Sequence, residues 1–267
     1  MVVEGLGKGR LDADDRRHLV SVLRLREGEA VSLVDGHGWR QACTFGPGGK
    51  LEPDGEPVWE PPGRPAVTVA FAVPKGDRAE WAVQKLTEIG VDRIVLIAAQ
   101  RSVVRWSGDR AGRHLERLRA VARAATCQSR RAWLPAVEGP VTLAELAAQA
   151  VALPAASGGV APSAASGGRA SSATVGGGLP PAGGEAGIGP IGPLAVAEPG
   201  GAPPALTLPT LVVGPEGGWA PSELDLDLPK VGLGPTVLRT ETAAVVGATL
   251  LTALRARLVS PTLQGQG

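Results

Sequence analysis

The residues best suited to chemistry lie in two neighbouring stretches, Val212-Val-Gly-Pro-Glu-Gly-Gly-Trp219 and Leu233-Gly-Pro-Thr-Val-Leu-Arg-Thr-Glu-Thr-Ala243. In each, an apolar strand-like run breaks into a Pro/Gly turn. Glycine reaches positive φ and has no Cβ to hold a ligand away, so two such turns side by side can wrap a small molecule in backbone N–H and C=O groups. The second turn also carries Arg239 and Glu241, a cation and a carboxylate that a plain connection does not need. An ordinary reading exists as well: a hydroxyl and a carboxylate such as Thr240 and Glu241 stabilise the start of a helix. Other chemistries lose ground, because the chain has no GxGxxG, no Walker lysine and no GxSxG. Cys43 and Cys127 stand far apart and His18, His37 and His114 are isolated, so neither a disulfide framework nor a metal ligand set is expected.

The charges nearly cancel, 27 Lys and Arg against 26 Asp and Glu, so no global field points to nucleic acid or to a membrane. Any such partner must be met by local clusters. The hydrophobic fraction of 43% leans on Ala, Val and Leu, with no uninterrupted apolar run of bilayer length. Glu4, Lys8 and Arg10 break up the first residues, unlike a signal peptide. These features lead us to expect a cytoplasmic protein with no membrane partner.

The elements that must position the two turns follow from patterning. Residues 1–62 are expected to form a small β-barrel, with short strands in 18–25 and 30–34 and the turn Asp35-Gly36-His37-Gly38. The Pro-rich residues 57–65 read as a linker. From residue 66 to 267 strand and helix alternate, which favours a parallel sheet with right-handed crossovers. Strands are expected at 67–73, 93–98 and 210–213, and helices from Asp77 to Gly90, at 110–125, at 143–149 and at 240–254. For the first helix, Asp77 and Glu80 have the spacing of a capping box, Gly90 is the stop, and Ala79, Val83, Leu86 and Ile89 share one face. Residues 151–205 are almost wholly Ala, Gly, Pro and Ser and are expected to be a disordered insertion. In open α/β sheets ligands sit beyond the carboxyl ends of the strands, where both glycine turns fall.

Several segments together resemble one family. Gly214-Pro-Glu-Gly-Gly-Trp219 with Glu223, Leu233-Gly234 and Leu238-Arg-Thr-Glu-Thr-Ala243 are similar to the C-terminal signature of the RsmE-type 16S rRNA uridine N3-methyltransferases of the SPOUT superfamily. Lys75-Gly76-Asp77, Lys85-Leu-Thr-Glu-Ile-Gly90, Gln100-Arg-Ser102 and Gln128-Ser129 with Arg131 and Pro135 resemble its middle region. His18-Leu-Val-Ser-Val-Leu-Arg-Leu25 with Asp35, Gly36 and Gly38 is similar to its PUA-like barrel. Cys127 and Thr236 depart from it, standing where the family more often has Glu and Arg.

The resemblance implies a SPOUT-type α/β parallel sheet with a C-terminal trefoil knot, preceded by a PUA-like RNA-binding β-barrel. It further implies S-adenosylmethionine as methyl donor, a homodimer, and uridine 1498 of 16S rRNA, in the RNA or in the assembled small subunit, as substrate. The cofactor would be held by Val213, Gly214, Glu216, Gly217, Gly218, Leu233, Gly234, Val237, Leu238 and Thr242. N3 of uracil carries a proton and is a poor nucleophile until it leaves, so a base and a cation are needed, for which Glu241 and Arg239 are the candidates. Glu241 would accept the proton or anchor Arg239. RNA phosphates would meet Arg24, Arg101, Arg105, Arg130 and Arg131, while Trp219 either touches the ligands or packs the core. Two alternatives stay open: transfer to another RNA position, and a non-catalytic RNA-binding assembly factor.

Overall fold

The computed structural model describes residues 1–2, 24–106, 108–150 and 188–260. The expected strand pattern before residue 24 and most of the expected insertion, 151–187, lie outside the described residues.

The first part is a four-stranded antiparallel sheet. Strand β1 (Ala30–Val34) pairs with β2 (Trp39–Phe45), whose other edge takes β3 (Leu51–Pro53) and β4 (Val58–Trp59). Strand β4 corrects the linker reading of 57–65: the Pro-rich segment still pairs with β2, Trp59 opposite Trp39. Trp59 also meets Trp133 edge-on, and the Trp133 indole donates to the Glu60 carbonyl at 2.8 Å, so this sheet is pinned to the second part of the chain.

The second part is a six-stranded parallel sheet. In chain order its elements are β5 (Thr68–Ala72), α1 (Arg78–Ile89), β6 (Arg93–Ile97), α2 (Gly108–Gln128), β7 (Ala136–Val141), α3 (Leu143–Gln149), β8 (Leu194–Ala202), β9 (Thr210–Val213), α4 (Pro221–Leu224), β10 (Lys230–Val231) and α5 (Thr240–Arg255). Across the sheet the strands run β10, β8, β9, β5, β6, β7. All five residues of β5 are buried, as a strand covered on both faces must be. Its side chains alternate between two cores: Val69 and Phe71 join Leu86, Leu118 and Leu251 from α1, α2 and α5, whereas Ala70 and Ala72 join Leu143 and Leu146 from α3 and Trp219.

Two expectations need correction. Strand β8 lies inside the segment assigned to the insertion, so the last part of that segment belongs to the parallel sheet instead of being disordered. The capping box at α1 does not form: Asp77 has ψ of 1° rather than the extended backbone a cap needs, and Glu80 pairs instead with Arg117 at 2.8 Å. Gly90 does close that helix, in the left-handed conformation with φ of 104°. A complete capping box occurs at α3, where Thr142 and Glu145 bond reciprocally; those hydrogen bonds hold the Glu145 carboxyl below its ordinary range.

At the amino end of the strands the core is closed by Asp92. Its carboxylate accepts from the Val67 N–H at 2.8 Å, bonds Arg255 at the end of α5, and lies 3.7 Å from Arg131. Arg255 and Arg131 in turn donate to the carbonyls of Gly90, Thr87 and Val91 at 2.8–2.9 Å. No helix among the described residues is long and apolar enough to cross a membrane.

Candidate functional site

The carboxyl ends of β8, β9 and β10 open onto a cavity of about 360 Å³. The strand β9 delivers Val213, Gly214, Pro215, Glu216, Gly218 and Trp219 to one wall. The turn after β10 delivers Leu233, Gly234, Thr236, Val237, Leu238 and Arg239 to the other, and Thr240 and Ala243 of α5 continue it. Ala197, Glu198 and Pro199 of β8 complete the lining. The two glycine turns thus do face each other across one space.

A hydrogen bond joins the walls. The Thr240 hydroxyl, buried at the first turn of α5, donates to the Gly214 carbonyl at 2.9 Å. It is therefore not a helix cap; the cap position belongs to Arg239, whose side chain makes no capping bond. Behind the first wall, Trp219 is 4% exposed and its ring packs so close to Gly214 that a Cβ there would sit 2.9 Å from Cε2. Gly218 has φ of 67°, which side chains rarely adopt, and a Cβ on it would meet nothing within 4 Å. The turn is further fixed by Glu223, a buried carboxylate that accepts from the Ala220 N–H at 2.8 Å and the Gln100 N–H at 3.0 Å.

Two of the residues expected at the cofactor do not line this cavity. Gly217 turns towards Arg101, whose guanidinium lies 3.4 Å from its carbonyl, and Thr242 is half-buried on α5 away from the lining. Thr240, Ala243 and the three β8 residues line it although they were not among those expected. The β8 contribution had no signal that would have exposed it, because Leu194–Ala202 reads as a continuation of the Ala/Gly/Pro tract.

The charged residues divide similarly. Arg239 is exposed at the rim of the cavity. Glu241 is 8% exposed and does not line the cavity, and its closest cation is Arg78 of α1, with Arg78 Nε 3.7 Å from Glu241 Oε1, so its expected role as an anchor for Arg239 is not what the contacts give. Arg78 also reaches Glu216 Oε1 at 3.4 Å. Arg101 and Arg105 are exposed in the loop after β6, beside the first glycine turn. Arg24 and Arg130 are also exposed but flank the antiparallel sheet, where the Arg130 carbonyl accepts from Arg40 at 3.0 Å. Arg131 does not belong with them. It is held inward by Thr87, Val91 and Asp92, and burial pulls its guanidinium below arginine's ordinary range, so it has no reach to a phosphate. Among the described residues no group of His, Cys, Asp and Glu is arranged to hold a metal ion.

An apolar cleft of this size with few converging polar groups is the usual form of a small-molecule site, and its position beyond the strand ends is the usual place. The sequence profile of the RNA methyltransferase domain matches residues 62–158 and 205–252, and that of the RNA methyltransferase PUA domain matches residues 11–43. The ribosomal RNA small subunit methyltransferase E of Mycobacterium tuberculosis is 36% identical over 243 residues, which cover 88% of this chain and 82% of that protein. The protein of the same name from Synechocystis is 29% identical over 248 residues, 89% of this chain and 70% of its own. Among solved structures, the ribosomal RNA small subunit methyltransferase E of Neisseria gonorrhoeae bound to S-adenosyl methionine superimposes with a TM-score of 0.67 at 22% identity, covering 95% of this chain and 96% of that one. With more than half of its length matched by the domain profile and most of it aligned to a relative above 30% identity, the chain belongs to the ribosomal RNA small subunit methyltransferase E family of RNA methyltransferases.

Proposed function

We propose that the cleft between the two glycine turns is an S-adenosylmethionine site and that the chain methylates N3 of a uridine in 16S rRNA, uridine 1498. The single observation that carries the cofactor part is the Thr240–Gly214 bond, which sets two main-chain walls at a fixed separation. The cavity fits such a ligand in kind: its volume falls within the ~300–1,000 Å³ of ligand pockets, its walls are largely apolar, and Gly218 leaves open space where a side chain would intrude. Val213, Gly214, Glu216, Gly218, Leu233, Gly234, Val237 and Leu238 would hold the cofactor, with Thr240 and Ala243 added. Bound there, S-adenosylmethionine supplies an electrophilic methyl group.

The chain must then make the uracil nitrogen nucleophilic. Glu241, which is not itself among the residues lining the cavity, takes the N3 proton through water, and Arg239 at the rim offsets the negative charge that spreads to the ring oxygens. Arg101 and Arg105 guide RNA to the cavity by its phosphates, with Arg24 and Arg130 contributing from the side of the antiparallel sheet. We take residues 1–62 as the RNA-contacting module and 66–267 as the methyltransferase domain. The homodimer and the C-terminal trefoil knot belong to the same reading; β8 lying between β9 and β10, both later in sequence, supports a threaded rather than a simply wound arrangement.

Calorimetric titration of the purified protein with S-adenosylmethionine tests the cofactor, and absence of binding would favour a non-catalytic assembly factor. The substrate is tested by mapping rRNA modifications in a deletion strain. Loss of one N3-methyluridine from 16S rRNA is expected; its persistence, or loss of a different modification, overturns the assignment.

A further inference from the structure

Neither the glycine turns nor the exposed arginines account for Arg78. It is the first residue of α1, far in sequence from both turns, yet its guanidinium stands between a carboxylate from each: Glu216 Oε1 at 3.4 Å and Glu241 Oε1 at 3.7 Å. The three side chains differ sharply in exposure, 40% for Arg78, 49% for Glu216 and 10% for Glu241. Glu241 is thus the buried member, and its Oε2 is shielded from solvent without a hydrogen-bond partner among the described residues. A buried carboxylate is unfavourable unless a cation or hydrogen bonds compensate it. Among the described residues, Arg78 is the cation within ion-pair distance of either acid.

We propose that Arg78 is the positioning residue of the site, fixing Glu241 as an oriented carboxylate and tethering Glu216 on the cavity wall, without itself touching the ligands. This rests on the reading of Glu241 as proton acceptor. The planar guanidinium suits the task, since it presents donors in two directions at once from a single rigid group. Its contacts at 3.4 and 3.7 Å are loose enough to tighten when the site fills.

The test uses the full chain with Arg78→Met and Arg78→Lys, each checked for native circular dichroism. With the charge gone, kcat should fall by about tenfold or more, because a misplaced catalytic group costs on that order. KM for RNA should stay within about threefold, as Arg78 is not placed against the RNA. Arg78→Lys should recover a substantial part of kcat. A Met variant with wild-type kcat, or a Lys variant no better than Met, overturns the inference. The pairing is also read without turnover, from thermal melts of Arg78→Met, Glu241→Gln and the double variant: the double should melt no lower than the worse single, and simple additivity overturns the pairing. If wild-type protein binds no S-adenosylmethionine, the cofactor reading beneath this inference falls with it. If wild type binds and transfers but Arg78→Met does so equally, only the inference falls.

Discussion

Thr240→Val removes the hydroxyl that joins the cavity walls and little else. The side chain is buried, the replacement is nearly isosteric, and Val and Thr differ little in helix propensity. What is lost is one bond of 2.9 Å to the part-buried Gly214 carbonyl, which is then left without this partner. Losing such a bond costs about 1–2 kcal/mol. For a chain of this size that corresponds to a fall in Tm of about 2–8 °C. The effect on ligand affinity is bounded by the same energy. In the variant the turns are free to drift apart, and binding must bring them back at a cost no larger than the bond was worth. Kd for S-adenosylmethionine should therefore rise, but by no more than about 5- to 30-fold. Differential scanning calorimetry gives the first number and isothermal titration the second, and Thr240→Ser should restore both. Unchanged Tm and Kd in the Val variant would refute the idea that this bond sets the wall separation. A rise in Kd well beyond the bound would mean instead that the hydroxyl contacts the ligand itself.

Gly218→Val should weaken S-adenosylmethionine binding by about tenfold or more, since a β-branched residue is strained at φ of 67° and its bulk enters the cavity; unchanged affinity by titration would remove this turn from the pocket wall. Arg239→Ala should abolish methyl transfer to rRNA while leaving Tm within about 1 °C, because the side chain is exposed and unbonded at the helix start; normal turnover would end its assigned role. Asp92→Asn should destabilise by about 3–5 kcal/mol, leaving two inward guanidinium groups uncompensated, yet leave Kd of the folded protein unchanged, because Asp92 lies at the opposite end of the strands; a denaturant melt and a titration separate the two. Deleting residues 160–185 should preserve Tm within a few degrees, as they fall outside the domain match, whereas extending the deletion to residue 202 removes β8 and should abolish cooperative unfolding.

The parts of this fold that the sequence made legible are those whose determinants are local. Gly90 ends α1 because a single residue supplies the left-handed conformation, and β9 could be read because Thr210–Val213 is a short apolar run before a glycine turn. The parts that escaped depend on distant partners. The segment Leu194–Ala202 becomes a strand because β9 and β10 offer it open edges, not because its Ala, Gly and Pro favour one. Arg131 lies inside because the carbonyls ending α1 point at it, a geometry that exists only once the chain is folded. At Asp77 and Glu80 the capping spacing is present, but Arg117 from α2 takes the glutamate and the backbone turns away from the extended form. The two walls of the cavity were visible as glycine turns. Arg78, which ties Glu216 of the first wall and Glu241 of α5 to α1, was not, since nothing in Lys75-Gly76-Asp77-Arg78 announces two carboxylates more than a hundred residues away.

The place of β8 bears on how the molecule is made. This strand leaves the ribosome before β9 and β10 but has no edge to pair with until they arrive, and α5 must emerge before Thr240 can reach Gly214. Strands β5, β6 and β7 face no such delay. The cleft therefore cannot exist until β9, β10 and α5, the last elements of the sheet domain, have all emerged. A ligand of the cleft can draw the equilibrium towards the finished protein by mass action, but it comes too late to guide the folding that builds its own site.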